Sequence, residues 1–432
     1  MSADLENKEF EQRLRNAIEL FVRWLDRHGF ETHDPYDLWG TRYGTLARRL
    51  YYSKSVWGIP LVAPLVAAEV LVPGVRGLLV RKERFASAEA QLVLGLLNLY
   101  RCTNDETYLK RAEIGAEGLR ELSIPGYSGY CWGYPFDWQN NRGFWRRNTP
   151  FITCTPYCFE AFLQVADATG IQEHLDVAAS IANFVAHDLR DSRVTGEASA
   201  GSYSPTDNTQ VINASAYRSF VLFEAWQRFR IDEYWDVAHR NLQFVFDAQR
   251  LDGSWLYGLE SPAEAFIDHF HTCFVLKNLH KLNRVVRSTA VVHAIEKGWD
   301  FYRRELFYSD DTPKSFALEP RLQLARLEVY NFAEAITLGT LLKDSISEAS
   351  ALVQRLTEKA VGEYQLADGH FVTRTYRGGI RHTKPFLRWP QAPMFLALTN
   401  ALVACRDATR AARGVATTVN QTPSAAMARP AS

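Results

Sequence analysis

Hydrophobic and polar positions recur along this chain with the spacing of α-helices, and the helical stretches fall into two alternating sets. Stretches of the first set are charged on one side and apolar on the other, as surface helices are: 10–28, 108–122, 174–189, 234–249, 290–306 and 348–364. Stretches of the second set are apolar on most sides, as expected of helices packed on several faces. They begin near Ser87, Thr155, Val211, Asp268, Asn331 and Gln391.

The second set recurs at a nearly constant interval, because its members start 56–68 residues apart. Six helical pairs at such a period are typical of stacked helical hairpins. A closed repeat of this kind holds 432 residues in one domain, although length alone suggests more than one. We therefore predict an all-α fold, an (α/α)6 toroid of six helical hairpins, in residues 1–411. Residues 412–432, rich in Ala, Thr, Ser and Pro, are predicted to be a disordered tail.

A shorter motif, Gln-x3-Gly-x-aromatic, occurs three times, at 139–145, 249–255 and 365–371. We interpret it as a structural device, in which the glycine takes a turn conformation after an outer helix and the aromatic ring packs back. Gln-x3-Gly-x-Trp is also similar to the repeat of triterpene cyclases. Those enzymes need an acidic Asp-rich motif, and this chain has no Asp-x-Asp-Asp, which disfavours that function.

Residues 56–80 fall outside the repeat and are unusually apolar, with three prolines and basic residues on both sides. The prolines argue against a membrane-spanning helix. Two interpretations remain for this segment: a buried or lid-like hairpin, or a peripheral contact with a membrane surface.

Charge and composition exclude some functions and disfavour others. Lys plus Arg and Asp plus Glu both number 49, so the chain lacks the basic surplus of a nucleic-acid-binding protein. The N-terminal residues are polar and charged, without the apolar core of a secretory signal. We expect a cytoplasmic protein, at most peripheral to the inner membrane. The six cysteines lack paired Cys-x-x-Cys spacing, so we expect buried thiols, no metal site and no cofactor.

The loops before the inner helices contain most of the candidate chemistry. In a ring of parallel inner helices, the six N-termini meet at one mouth, and their dipoles favour an anion there. Aromatic rings stack on sugar faces, while carboxylates and guanidinium groups bind hydroxyls. The predicted substrate-binding residues are Asp34, Tyr36, Asp37, Trp132, Trp138, Arg146, Arg147, His269, Tyr330, Asn331, Arg388 and Trp389. The predicted catalytic residues are Asp137, Asp268, His271 and Glu334.

Three chemistries remain open for these residues. Glycoside hydrolysis needs two carboxylates across the scissile bond, and Asp37, Asp137, Asp268 and Glu334 are the candidates. Epimerisation or β-elimination of a uronate needs an acid, a base and an arginine that neutralises the sugar carboxylate. The candidates for these roles are His271, Tyr330, Arg146, Arg147 and Arg388. The arginines favour an anionic oligosaccharide or polysaccharide.

Asp268 and the two histidines after it open one inner helix. Asp268 suits the N-cap position, where its carboxylate accepts a backbone hydrogen bond. His269 and His271 cannot share a helix face, because they are two residues apart. We expect one ring to face the funnel as a general acid or base, and the other to pack between helices.

Four motifs together resemble the exopolysaccharide and capsule biosynthesis proteins of the six-hairpin glycosidase superfamily. They are Asp34-Pro-Tyr-Asp37, Gly77-Leu-Leu-Val-Arg-Lys82, Trp132-Gly-Tyr-Pro-Phe-Asp137-Trp-Gln139 and Phe266-Ile-Asp-His-Phe-His271-Thr272. The resemblance covers roughly residues 10–405 and implies the toroid, a glycan partner and a role in a polysaccharide gene cluster. The resemblance implies the class of substrate but does not specify the reaction. The alternative is a non-catalytic sugar-binding or scaffold protein that works with other polysaccharide-assembly proteins.

Overall fold

The computed structural model describes residues 3–320 and 323–419, and it shows the predicted two sets of helices. The inner helices are α5 (Ala86–Thr103), α7 (Thr155–Thr169), α9 (Ile212–Phe229), α11 (His269–Val286), α13 (Val329–Leu342) and α15 (Ala392–Val419). The outer helices are α1 (Ala3–His28), α6 (Glu106–Glu121), α8 (Gln172–His187), α10 (Asp232–Asp247), α12 (Thr289–Glu305) and α14 (Ala349–Lys359). Three further helices, α2 (Arg42–Tyr52), α3 (Gly58–Leu71) and α4 (Arg76–Leu79), follow α1.

The inner helices close a ring, because each packs against the next and α15 returns to α5. The chain is therefore an (α/α)6 toroid, as predicted, and each inner helix begins within two residues of its predicted start. Gly95 of α5 shows how closely the ends of the ring approach: a Cβ at this position would lie 2.4 Å from the ring of Phe395 in α15. The buried apolar core runs through all six hairpins.

Two-residue turns link four inner helices to the outer helices that follow them. The residues that end α5, α7, α9 and α11 are Asn104, Gly170, Arg230 and Arg287, all in the left-handed conformation that terminates helices. Because these connections are so short, the long loops all lie at the opposite end of the ring. That end carries the inner N-termini and is here called the mouth.

Short antiparallel strands stiffen the mouth loops. They are β1 (Trp138–Asn140), β2 (Gly143–Trp145), β3 (Asp191–Arg193), β4 (Ser199–Gly201), β5 (Ile267–Asp268), β6 (Phe316–Leu318), β7 (Ala325–Glu328), β8 (Arg374–Tyr376) and β9 (Arg381–His382). The pairs are β1–β2, β3–β4 and β5–β6, and β8 lies between β7 and β9.

The repeated Gln-x3-Gly-x-aromatic motif is the predicted structural device. Each glutamine side chain donates to the carbonyl of the motif glycine, from Gln139 to Gly143, Gln249 to Gly253 and Gln365 to Gly369. The glycines have positive φ, and the aromatic residues Trp145, Trp255 and Phe371 are buried. The first copy differs from the prediction, since it turns the β1–β2 hairpin instead of following an outer helix.

Residues 56–80, here called the docking segment, are not buried as one interpretation expected. They form α3, a bend and α4, and most of their apolar side chains are exposed. No described helix alone has the length and apolarity to cross a membrane, while α3 and residues 73–79 meet that criterion jointly, bent by 106°. At the other end of the chain, α15 extends to Val419, into the range assigned to the tail. Residues 420–432 of that predicted tail lie outside the described residues.

Candidate functional site

The centre of the mouth is built around a buried ion pair. Arg388 donates two hydrogen bonds to Asp34, from Nε to Oδ2 at 2.5 Å and from Nη2 to Oδ1 at 2.8 Å. The Arg388 guanidinium also lies 4.9–5.8 Å from the ring centroids of Tyr36, Tyr134 and Trp389. Burial disfavours its charge, but Asp34 more than compensates, so the pKa of Arg388 is raised. These five residues, here called the mouth cluster, join a fixed charge pair to three aromatic faces.

An aromatic wall continues from the mouth cluster towards α11. Trp389 stacks on Tyr330 with 3.8 Å between ring centroids, and Phe270 meets both rings edge-on. The indole of Trp389 donates to Glu328 Oε2 at 3.1 Å, and the other oxygen of Glu328 pairs with Arg374 at 3.3 Å. Burial and the charge of Glu334 raise the pKa of Tyr330 well above its usual value, so its hydroxyl stays protonated.

Asp268 and His271 form an acid–base dyad at the start of α11. Asp268 is buried, and its carboxylate accepts the backbone N–H of His271 at 2.8 Å, which is the predicted N-cap. Its second oxygen lies 2.6 Å from His271 Nδ1, which fixes the ring and leaves Nε2 for another partner. His271 is part-exposed and contacts Phe270, the first residue of the aromatic wall. A cavity of about 10 Å³, room for roughly one water, borders the dyad.

Below the mouth, four residues here called the floor cluster close the ring: Tyr157, Tyr217, Lys277 and Glu334. Lys277 of α11 pairs with Glu334 of α13 and lies 5.9 Å from the ring of Tyr157, which comes from α7 across the toroid. Tyr157 and Tyr217 share a hydrogen bond of 3.2 Å. Burial raises the pKa of Tyr157 to about 12 although Lys277 acts in the opposite direction. The floor cluster therefore combines one neutralised ion pair with two neutral phenols.

The predicted carboxylates all have partners. Asp37 pairs with Arg76 and lies 3.4 Å from His33 Nδ1, while Glu334 is held by Lys277. Asp137 accepts the backbone N–H of Arg147 at 2.8 Å. Two unpaired carboxylates facing each other are not found among these candidates, and Asp268 is the one that pairs with a histidine and with no arginine or lysine.

Several predicted binding residues lie away from the interior of the mouth. Trp132 is 1% exposed and stacks between core rings, and its indole N–H donates to Leu119, so it has no face for a sugar. His269 is fully buried, its Nε2 lies 2.8 Å from the Tyr302 hydroxyl, and burial lowers its pKa to about 3. It is the histidine packed between helices, and His271 is the accessible one. Asn331 is also buried, and its side-chain amide lies 3.5 Å from the Ser315 hydroxyl.

Other predicted residues do reach the mouth. Trp138 is half-buried and packs among Tyr134, Trp145 and Phe151, so part of its ring is accessible. Arg146 and Arg147 are exposed on the loop after β2, and Arg147 lies 3.5 Å from Glu83. These arginines flank the mouth instead of lining its interior.

Four residues that complete the site are not among the predicted site residues: Tyr134, Lys277, Glu328 and Arg374. Tyr134 lies inside the same motif as Trp132, and a two-residue alternation from Tyr134 to Trp138 would have indicated it. Lys277 directly follows four apolar residues of α11, 273–276, which is a recognisable signal of a buried pair. Among the described residues, no group of three His, Cys, Asp or Glu side chains is arranged to hold a metal ion.

The fold is similar to that of several solved carbohydrate-active enzymes. An unsaturated glucuronyl hydrolase specific for heparin aligns with a TM-score of 0.61 and 10% identity over 93% of this chain and 98% of that one. A GH76 α-mannanase from Bacteroides thetaiotaomicron aligns at 0.59 and 10% identity, covering 87% and 100% of the chains. A cellobiose 2-epimerase from Bacillus thermoamylovorans aligns at 0.57 and 11% identity, covering 75% and 88%. No protein-family model and no curated sequence matches the chain.

Proposed function

We propose that this protein is a carbohydrate-active enzyme that moves a proton on a sugar bound in the mouth of the toroid. The observation that carries this proposal is the Asp268–His271 dyad. A part-exposed histidine that is oriented by a buried carboxylate and lines a small cavity is suited to general acid–base catalysis. The solved structures that share the fold include a sugar epimerase, a polysaccharide lyase and glycoside hydrolases, so the fold accommodates all three chemistries.

The pairing of the carboxylates favours epimerisation or β-elimination over hydrolysis. Hydrolysis uses one protonated and one ionised carboxyl across the scissile bond. Here Asp34, Asp37 and Glu334 are each bound to an arginine or lysine, so their carboxylate oxygens already have partners. In the proposed reaction His271 removes a proton from carbon. The Tyr330 hydroxyl, in the aromatic wall beside Phe270, donates a proton to the opposite face of that carbon in epimerisation, or to the leaving oxygen in β-elimination.

The mouth cluster would hold the sugar next to the dyad. The rings of Tyr36, Tyr134 and Trp389 offer apolar faces to pyranose C–H groups, and Trp138 extends that surface. Arg388 is fixed by Asp34 and would use its remaining donors for hydroxyl or carboxylate oxygens. Exposed Arg146 and Arg147 and the converging helix N-termini support an anionic substrate.

The finer biological role rests on the four sequence motifs. They support a part in bacterial exopolysaccharide or capsule biosynthesis, in the cytoplasm, beside other polysaccharide-assembly proteins. The substrate would then be an anionic oligosaccharide, polysaccharide or glycan intermediate.

The experiment that tests this function is an assay of purified protein with uronate-containing and neutral oligosaccharides. New reducing ends indicate hydrolysis, ultraviolet absorbance of an unsaturated uronate indicates β-elimination, and deuterium uptake from solvent at carbon indicates epimerisation. We expect one of the last two signals, and we expect His271→Ala to remove it. Reducing ends without the other two signals would refute proton transfer as the reaction.

A second function, non-catalytic glycan binding, is favoured by one observation: every predicted carboxylate already has a partner. In that case wild type and His271→Ala would bind oligosaccharides alike by calorimetry, and neither would show any of the three signals.

A further inference from the structure

Helix α3 lies at the surface, but its exposed side is apolar, whereas the exposed side of a surface helix is ordinarily polar. Its exposed positions are all apolar: Ile59, Pro60, Ala63, Pro64, Ala67 and Leu71. Its single charged residue, Glu69, faces the protein, where it pairs with Arg76 and lies 3.3 Å from His382 Nε2. Burial disfavours the carboxylate charge, but these partners outweigh it and lower the pKa of Glu69 to about 2. The helix therefore turns Leu65 and Glu69 towards the protein, and its exposed positions form an apolar stripe.

The apolar stripe continues at both ends of α3. Before it, Val56 and Trp57 are 85% and 65% exposed, and after it Leu78 and Leu79 are 86% and 55% exposed. Isolated exposed hydrophobic residues are ordinary, but a contiguous run of them marks a surface that another apolar phase covers. The docking segment is thus an unpartnered apolar surface of the described chain.

The surroundings of this surface are strongly basic, in a chain whose formal net charge is zero. Residues 42–82 contain one acidic residue, the inward-facing Glu69, and seven cations: Arg42, Arg48, Arg49, Lys54, Arg76, Arg81 and Lys82. Five of these, Arg42, Arg49, Lys54, Arg81 and Lys82, are exposed. Apolar side chains bordered by exposed Lys and Arg match the two layers of an anionic bilayer surface, its acyl boundary and its charged headgroups.

We propose that the docking segment binds the surface of an anionic lipid bilayer by inserting its apolar stripe between the headgroups. The segment lies in the interface and does not cross it, because 14 residues of α3 extend about 21 Å, less than the roughly 30 Å hydrocarbon core. The 106° bend between α3 and residues 73–79 keeps the two pieces from forming one straight span, consistent with a shallow insertion.

The docking segment is fixed to the mouth, so binding sets the orientation of the toroid. Arg76 is fully buried and bonds Asp37, Glu69 and the carbonyl of Asp34. Asp34 is the same residue that holds Arg388 in the mouth cluster. A docked protein therefore holds its mouth close to the bilayer. If the proposed function holds, its substrate is a glycan carried at that surface.

Flotation of the full chain with vesicles tests the docking without any substrate. We expect co-flotation with vesicles that contain phosphatidylglycerol, and much weaker binding to pure phosphatidylcholine. The double variant Leu78→Glu with Leu79→Glu should bind at least about tenfold more weakly, because two inserted apolar side chains are replaced by anions. Leu251→Glu is the matched control, since Leu251 is fully exposed outside the docking segment. We expect it to bind like wild type.

Three results would overturn the proposal. One is no flotation of wild type with anionic vesicles, and another is equal binding by the double variant and wild type. The third is a dimer in sedimentation velocity without lipid that the double variant abolishes, since the stripe would then be covered by a second copy. Circular dichroism and thermal melting of each variant confirm that lost binding is not lost folding. Because no sugar is present, failure of docking leaves the proposed catalysis a separate question.

Discussion

Arg388 and Asp34 meet through two parallel hydrogen bonds although 354 residues separate them along the chain. Asp34 lies in the first mouth loop and Arg388 in the last, directly before α15. The pair therefore joins the two ends of the repeat at the mouth, while α5 and α15 join them below. The same contact closes the toroid and places a guanidinium among three aromatic rings.

Removing one partner of this pair should destabilise the fold. Asp34→Asn leaves the Arg388 charge buried without its counter-ion, and we expect a loss of about 3–5 kcal/mol in the free energy of unfolding. Urea denaturation measures it. The matched control is Asp167→Asn, which breaks the exposed Arg228–Asp167 pair and should cost less than about 1 kcal/mol. Equal losses in both variants would show that the Asp34–Arg388 pair has no special role.

Much of the fold was predictable because it rests on local signals. Each inner helix is indicated in the sequence by an apolar stretch that follows a polar loop. The first residue of α7, Thr155, was predicted without error. The dyad was predictable for the same reason, since Asp268 caps the helix that carries His271. Because His269 and His271 are two residues apart on this helix, their side chains face different sides. These contacts span three residues or fewer.

The rest of the site depends on contacts that local patterns do not encode. Trp132 and Trp138 belong to one motif, yet Trp132 is in the core and Trp138 lies at the mouth, because the chain enters the β1–β2 hairpin between them. The pairing of Glu334 with Lys277 joins two helices, so its carboxylate looked available in the sequence. The exposed docking segment was equally ambiguous, since apolarity alone does not reveal which side is covered.

The two tryptophans should respond differently to truncation. Trp132→Ala removes a fully buried ring and its indole hydrogen bond, so we expect a loss of about 3–5 kcal/mol in unfolding free energy. Trp138→Ala removes a half-buried ring at the mouth, and we expect weaker oligosaccharide binding with a smaller loss of stability. Calorimetry and urea denaturation of both variants separate these effects. Wild-type affinity in Trp138→Ala would reject a stacking role for this residue.

His269 should make the fold sensitive to acid. Burial lowers its pKa from 6.5 to about 3, so the folded state keeps the ring neutral while the unfolded state binds a proton. The stability that the neutral ring contributes is fully present above pH 6.5 and is lost as the pH falls towards about 3. At about pH 4 the loss is roughly 3 kcal/mol. His269→Gln lacks this titration.

The measurement is the free energy of unfolding of wild type and His269→Gln at neutral pH and at about pH 4. The difference between the two pH values should be smaller in the variant, because the carboxylates contribute to both proteins alike. His293→Gln is the control, since His293 is largely exposed and its replacement should leave the acid response unchanged. An unchanged acid response in His269→Gln would contradict the buried, neutral state of this ring.

The dyad variants should separate catalysis from stability. His271→Ala removes the proposed base and Asp268→Asn removes the carboxylate that orients it, so we expect turnover to fall by at least about a hundredfold in each. The free energy of unfolding should change by no more than about 1–2 kcal/mol, because asparagine still caps α11 and His271 is part-exposed. Steady-state assays with the responsive sugar and urea denaturation measure both quantities, with His293→Gln as the surface-histidine control. Wild-type turnover in His271→Ala would remove the dyad from the chemistry, and proton transfer would then need another base.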